Sequence, residues 1–381
     1  MSAKPTLATI EYWGIQLRAT STGLVSDIEL AARHDSLGQH DDAINALARA
    51  TKNNDIEATT LLGKRLLVGD RAPHLPDAGA RFLLDATRLG GAEAADRLAL
   101  LVGAGAFFEQ DWNEALNLLF ASAERGWRPA QNQIRVLATD RDLTDRAMSP
   151  GRPNDIWRRL AQSIDLTFWS TAPTPITLNE SPVIKRFADL IPPRVSKWLI
   201  DRARGKLGPA RVYDAIAGKE TLHSTRTNTA AMFGLAEADL VTLLVQNRMA
   251  SACGVQLPQM EAATVLHYDV GEEITDHYDF VDPRTPNYTN EIEQRGQRLI
   301  TFLIYLNDDY DGGETEFPKL GLSHKGRLGD GMYFINAYPN GEPDLRTVHA
   351  GRPPERGEKW ILSQFIRDRR MLSVQPGSAV S

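Results

Sequence analysis

The sequence is short of the residues that mark a secreted or membrane-bound chain. Its 381 residues include one cysteine, Cys253, so no intrachain disulfide can form; flanked by apolar residues and by no nucleophile motif, it reads as a small core side chain. Nowhere do about eighteen apolar residues follow one another, and the opening MSAKPTLATIEYWGIQLRATSTG lacks the basic-then-apolar order of a targeting segment. A cytoplasmic location without membrane contact is the expectation. Positive charge is scarce too: a net charge of -6 gives no global attraction to nucleic acid, which is not expected as a partner. What remains, 42% apolar and 24% charged residues, is the composition of a globular chain, long enough for about two to three domains.

Residues 24–140 are rich in Ala and Leu at helical spacing, with hardly any strand-like alternation. Asp42-Ala43, Asp77-Ala78 and Glu114-Ala115 each open an amphipathic run; the runs pass Ala50, Ala86 and Ala123 and reach Ala58, Ala94 and Ala130. A period of about 35 to 37 residues predicts stacked helix pairs, with Gly69, Gly90-Gly91, Gly105 and Gly126 at helix ends. Such a solenoid either offers a face to a protein partner or only packs within its own molecule, and the sequence leaves both open. Residues 141–181, with TDRAMSPGRPND and STAPTPITLNESP around a helical-looking IWRRLAQSI, read as a linker. Beyond it come VIKRFADLI, a helix PPRVSKWLIDRARGKLG and another over 235–252. The runs ATVLHYDV, RLITFLIYLN, GMYFINAY and KWILSQFIR then alternate with Gly- and Asp-rich turns, which predicts a β-sandwich or barrel. Residues 371–381 read as a disordered tail.

Four of the eight histidines, His267, His277, His324 and His349, fall in the β-rich part. The stretch LHYDVGEEITDHYDF holds His-Tyr-Asp twice, as His267-Tyr268-Asp269 and His277-Tyr278-Asp279. Residues two apart on an extended chain face the same side, so either copy offers a histidine and a carboxylate to one metal. With His349 as the distant histidine, either completes the two-histidine, one-carboxylate facial triad of non-haem iron oxygenases. Spacing alone does not choose between them.

From Val183 to Arg370 the chain resembles the prolyl 4-hydroxylase branch of the Fe(II)- and 2-oxoglutarate-dependent dioxygenases. The blocks that carry the resemblance are Tyr268-Asp269-Val270-Gly271, His277-Tyr278-Asp279-Phe280, Arg298-Leu299-Ile300-Thr301 and Tyr305-Leu306-Asn307-Asp308. They continue with Gly312-Gly313-Glu314-Thr315-Glu316-Phe317-Pro318, His349-Ala350-Gly351 and Gly357-Glu358-Lys359-Trp360, and Thr225-Arg226-Thr227-Asn228 matches upstream. EATTLLGKRLLVGD and EALNLLFASAERGWRPA resemble tetratricopeptide repeats of the Sel-like kind. Together these imply an α+β multidomain chain: a helical-repeat domain over 24–140, then a double-stranded β-helix (jelly-roll) dioxygenase domain over 182–370.

The resemblance implies that His277, Asp279 and His349 are the catalytic Fe(II) ligands, and that His267 and Asp269 are only strand neighbours. It places Tyr268, Thr301 and Lys359 on 2-oxoglutarate, the last two at its distal carboxylate, which a buried ammonium suits. Ascorbate is the implied reductant. The implied activity is oxidative decarboxylation of 2-oxoglutarate by dioxygen, coupled to hydroxylation of a peptidyl residue, foremost proline. The alternatives are a free amino acid or small metabolite as substrate, and an interaction protein carrying an inactive oxygenase fold. The family's halogenating relatives have a small residue in place of the carboxylate, so Asp279 favours hydroxylation. Ile274, Arg352 and Phe365 depart from an aromatic, a small residue and a tryptophan, which bears on the substrate rather than on iron. Arg226 either orients substrate or makes a structural ion pair, and the loop from Asp282 to Glu293 is either a lid or a plain surface loop.

Overall fold

The computed structural model describes residues 26–210, 212–214, 219–221, 226–285, 288–338 and 340–370, so Thr225 and the 371–381 tail lie outside the described residues. Among these, one compact unit comprises 26–165 with 238–243, and a second comprises 166–237 with 244–370. No helix among the described residues is long and apolar enough to cross a membrane.

The first unit is built on seven helices: α1 (Asp27–Ser36), α2 (His40–Lys52), α3 (Ile56–Val68), α4 (Pro76–Arg88), α5 (Ala92–Ala104), α6 (Trp112–Glu124) and α7 (Arg128–Leu137). The starts of α2, α4 and α6 lie 36 residues apart, as do those of α3, α5 and α7. This strict period shifts two of the expected equivalences: Ala43 corresponds to Gly79 and Ala115, and Ala50 to Ala86 and Ser122. Leu47, Leu83 and Leu119 recur at the same interval, all fully buried. Left-handed backbone follows the same clock, at Asn54, Gly90 and Gly126, at Gly69 and Gly105, and at Arg71 and Phe107. Small residues recur because helix backbones approach closely; a Cβ on Gly79 would sit 2.5 Å from the Leu67 nitrogen.

The span 141–181 is not the linker its prolines suggest. Helices α8 (Arg141–Arg146) and α9 (Ile156–Gln162) bury Leu143, Ile156, Trp157 and Leu160, and α9 packs on α6 and α7. The prolines mark the ends of short elements, and the solenoid unit extends to Asp165.

The second unit begins with α10 (Leu166–Ser170). Its main sheet is antiparallel, and its strands are β1 (Ile176–Glu180), β2 (Val183–Phe187), β3 (Gly208–Pro209), β6 (Thr229–Phe233), β7 (Ala263–Tyr268), β9 (Arg298–Tyr305), β13 (Gly331–Ile335) and β16 (Lys359–Arg367). Their spatial order is β1-β2-β13-β9-β16-β7-β6-β3. A smaller sheet of β8 (Ile274–His277), β11 (Thr315–Phe317), β12 (Leu322–His324) and β14 (His349–Gly351) has the order β12-β11-β14-β8. Two small pairs, β4 (Val212–Asp214) with β5 (Lys219–Thr221) and β10 (Asp311–Gly312) with β15 (Pro354–Arg356), complete the strands. Ile184, Leu303, Met332, Phe334 and Ile361 of the main sheet form one core with Phe317 of the smaller one, the two-sheet packing of a jelly roll. Helices α11 (Pro193–Arg204), α12 (Leu240–Cys253) and α13 (Tyr288–Arg295) complete the element list; α13 occupies the span read as a lid or loop. Its Glu291 bonds to the fully buried Arg367, 2.6 Å away, which also donates to the Gly296 carbonyl.

Candidate active site

Gly271, at φ +82°, lets the chain turn between β7 and β8, with the Glu272 amide donating to the Asp269 carbonyl. That turn brings β8 into antiparallel register with β14 so that His277 and His349 are direct partners, their ring centroids 4.2 Å apart. Asp279 follows two residues later. Its Oδ1 lies 3.5 Å from His277 Nε2 and its Oδ2 3.2 Å from His349 Nε2. Phe317 and Phe334 pack against the His349 ring and wall the site.

Hydrogen bonding fixes the chemistry of these rings. His277 Nδ1 lies 2.8 Å from the Thr275 carbonyl, and His349 Nδ1 3.0 Å from that of Thr347. A carbonyl only accepts, so each Nδ1 carries a hydrogen and, in the neutral ring, each Nε2 turns a lone pair toward Asp279. Two lone pairs and a carboxylate within 3.5 Å call for a cation between them. Burial lowers the His349 pKa, but Asp279 outweighs it and raises the value; burial and then His349 lower that of His277. Asp279 is held well below the usual carboxylate range, since the two imidazoles outweigh the upward push of burial. The donor set fits a divalent iron, with one face left open.

Lys359 is 1% exposed, and no carboxylate among the described residues lies within ion-pair reach of its Nζ. Burial draws its pKa down to about 7. Its register partner is Tyr268, whose ring centre is 4.9 Å from Nζ. Glu314 acts on it only at longer range and does not offset burial, and an ammonium desolvated with no ion-pair partner is a ready anion site.

Thr301 does not share that corner. It pairs with Phe365, six residues along β16 from Lys359, which at about 3.3 Å per residue places them roughly 20 Å apart. Its hydroxyl instead donates to Asp279 Oδ2 at 2.8 Å. Thr315 on β11 holds another buried hydroxyl, 3.1 Å from that of Tyr305 and opposite Gly351, whose Cβ position lies 3.4 Å from Tyr268 Oη. Gly313 touches both Tyr310 and Lys359, so a side chain there would collide with them. Thr315 stood in the Gly-Gly-x-Thr block; register, which sequence does not print, decides between two threonines.

The first His-Tyr-Asp copy also gathers ligand atoms, those of His267, Asp269 and Glu272 lying within 4.8 Å of one another. Both ring nitrogens of His267 have other partners, Thr229 Oγ1 at 3.1 Å and Glu358 Oε2 at 3.0 Å. Arg226 donates to the Asn228 side chain at 3.0 Å, and Arg352 bonds Glu316. Phe365 lies beneath the Arg298 guanidinium at 3.9 Å, and Ile274 faces Gly351.

An antiparallel two-sheet sandwich with two opposed histidines and a carboxylate between its sheets is the architecture of facial-triad metal proteins. Residues 263–367 match the family model of the 2OG-Fe(II) oxygenase superfamily. The chain is 32% identical over 190 residues to probable prolyl 4-hydroxylase 9 of Arabidopsis thaliana, covering 45% of this chain and 64% of the relative. It is 30% identical over 190 residues to prolyl 4-hydroxylase subunit alpha-1 of Gallus gallus, covering 50% and 36%. The chain thus spans under two thirds of the plant protein and about a third of the avian one. Among solved structures, the viral collagen prolyl hydroxylase of Paramecium Bursaria Chlorella virus-1 aligns at 24% identity and TM-score 0.37, over 48% of this chain and 94% of that one. A Sel1 repeat protein from Oxalobacter formigenes aligns at 17% identity and TM-score 0.29, over 36% and 58%.

Proposed function

We propose that this chain is a 2-oxoglutarate-dependent hydroxylase that acts on a peptidyl residue, foremost proline. The observation that carries the reading is the opposed pair His277 and His349 with Asp279 between their Nε2 atoms. These three would hold Fe(II), while Tyr268, Thr315 and Lys359 would hold 2-oxoglutarate. Bound together, the metal and this cosubstrate supply the dioxygen chemistry that hydroxylates an unactivated carbon. The chain's part is to position and to exclude water. The Thr275 and Thr347 carbonyls keep both rings in the metal-binding tautomer, Lys359 neutralises the distal carboxylate, and burial of Tyr268 and Lys359 keeps that interaction out of water. The names of the sequence relatives support a prolyl substrate.

The test is succinate formation from 2-oxoglutarate with Fe(II), using proline-rich peptides and free amino acids, and mass spectrometry for a gain of one oxygen. Peptide-stimulated turnover that His277→Ala abolishes is expected. Stimulation by a free amino acid alone would move the substrate to small molecules, and equal inactivity of both proteins across the panel would end the reading.

A further inference from the structure

Asn336 follows β13, is fully buried and lies in the run GMYFINAY but in none of the motif blocks that point to the site. Its Nδ2 is 2.9 Å from Thr301 Oγ1, which is 2.8 Å from Asp279 Oδ2. The protons along this chain have one arrangement. An ionised carboxylate cannot donate, so the Thr301 hydroxyl hydrogen must point at Asp279; the hydroxyl's lone pair must then face a donor, so the amide presents its NH2 group and not its oxygen. In this orientation the amide oxygen Oδ1 is buried without a hydrogen-bond partner among the described residues. The backbone on either side is pinned, with the Asn336 amide donating to the Leu299 carbonyl and the Asp344 amide to the Asn336 carbonyl.

We infer that Asn336 is a positioning residue for the metal: by locking the Thr301 hydroxyl as a donor to Oδ2 it fixes the rotation of the Asp279 carboxylate, whose two oxygens face the Nε2 atoms of His277 and His349. A carboxylate free to rotate would turn its oxygens away from that common point, so the relay keeps the donor set assembled. This inference rests on the reading of His277, Asp279 and His349 as the metal ligands. Outer groups that orient ligands are worth about 10- to 100-fold in metal affinity.

The test uses the full chain and Co(II) alone, without 2-oxoglutarate, followed by the visible absorption of the bound ion. Thr301→Val is expected to weaken binding about 10- to 100-fold and Thr301→Ser to restore it. Asn336→Leu is expected to weaken binding by roughly tenfold, and the Asn336→Leu/Thr301→Val double variant to bind no worse than Thr301→Val alone, because the amide acts only through the hydroxyl. Thermal melts establish that each variant is folded, and Asn336→Ser, which opens less apolar contact, replaces the leucine variant if that one is not. Wild-type affinity in a folded Asn336 variant, or losses that simply add, overturns the relay while leaving the metal site standing. Failure of wild type to bind Co(II), or binding that survives His277→Ala, overturns both.

Discussion

At the scale of residues, the duplicated His-Tyr-Asp resolves into two different jobs. His277 and Asp279 face a common point with His349, whereas His267 spans Thr229 and Glu358 on the other side of the same turn, and Tyr268 between its neighbours points toward Lys359. Asp279→Ala is therefore expected to abolish metal binding, and His267→Ala to lower stability by about 1–3 kcal/mol with metal affinity kept, as checked by denaturation and ion titration side by side. Lys359 makes a prediction about pH. Its pKa falls from 10.5 in the unfolded chain to about 7 in the fold, so between those values the unfolded state holds the extra proton and stability rises with pH; below about 7 the full penalty is present. Lys359→Met should raise the denaturation midpoint of the ligand-free protein at pH 6.5 and flatten its rise toward about pH 9. The same change should weaken 2-oxoglutarate binding sharply, as calorimetry would read. The ligand-type residues were legible from motif order, but Thr315 and Asn336 were not, because cross-strand register and a buried amide leave no local pattern.

At the scale of elements, the main-sheet strands beside the site were legible because β7, β9, β13 and β16 are apolar runs bounded by Gly and Asp turns, whereas the short β8 and β14 that carry the two histidines form no such runs. Within 141–162, IWRRLAQSI reads as helical and is α9, whereas α8 is too short to establish a period beside the prolines that follow it. Solenoid packing rests on small residues at the 36-residue interval. Gly79→Ala puts a methyl 2.5 Å from the Leu67 nitrogen and 2.6 Å from the Gly63 carbonyl, both backbone, and should cost on the order of 2–3 kcal/mol by thermal denaturation. In the second unit, Glu261 joins Arg298 to Arg367. Burial would raise its pKa, but the arginines, Arg298 first, hold it down to about 2, so its stabilisation is present above about pH 4.5 and is lost as pH falls toward 2. Glu261→Gln should remove about 3–5 kcal/mol at neutral pH and much of the acid sensitivity, measured as urea midpoints from pH 7 to 3.

At the scale of the whole molecule, the chain leaves the solenoid unit after Asp165 and returns to it for Ala238–Leu243. There the Leu240 amide donates to Gln133 Oε1 at 2.9 Å, and Arg97 donates to the Ala238 carbonyl. A fragment of residues 26–165 alone should therefore melt below the helical transition of the intact protein, and a fragment that carries residues 236–244 on a flexible tether should recover part of the difference in calorimetry. Sequence reading places one boundary between two domains; among the described residues the chain passes between the units three times, which no composition shift announces.

The pairing of His277 with His349 has a consequence for length. Because one ladder of hydrogen bonds between β8 and β14 sets their spacing, the chain that runs between them is released from any fixed count of residues. Insertions and deletions from Asp282 to Arg295 or around Asn340 can accumulate without moving the ligands, whereas a single residue added within β8 would turn His277 outward. Proteins built on this site can thus differ widely in size between their two histidines while keeping the same grip on the ion.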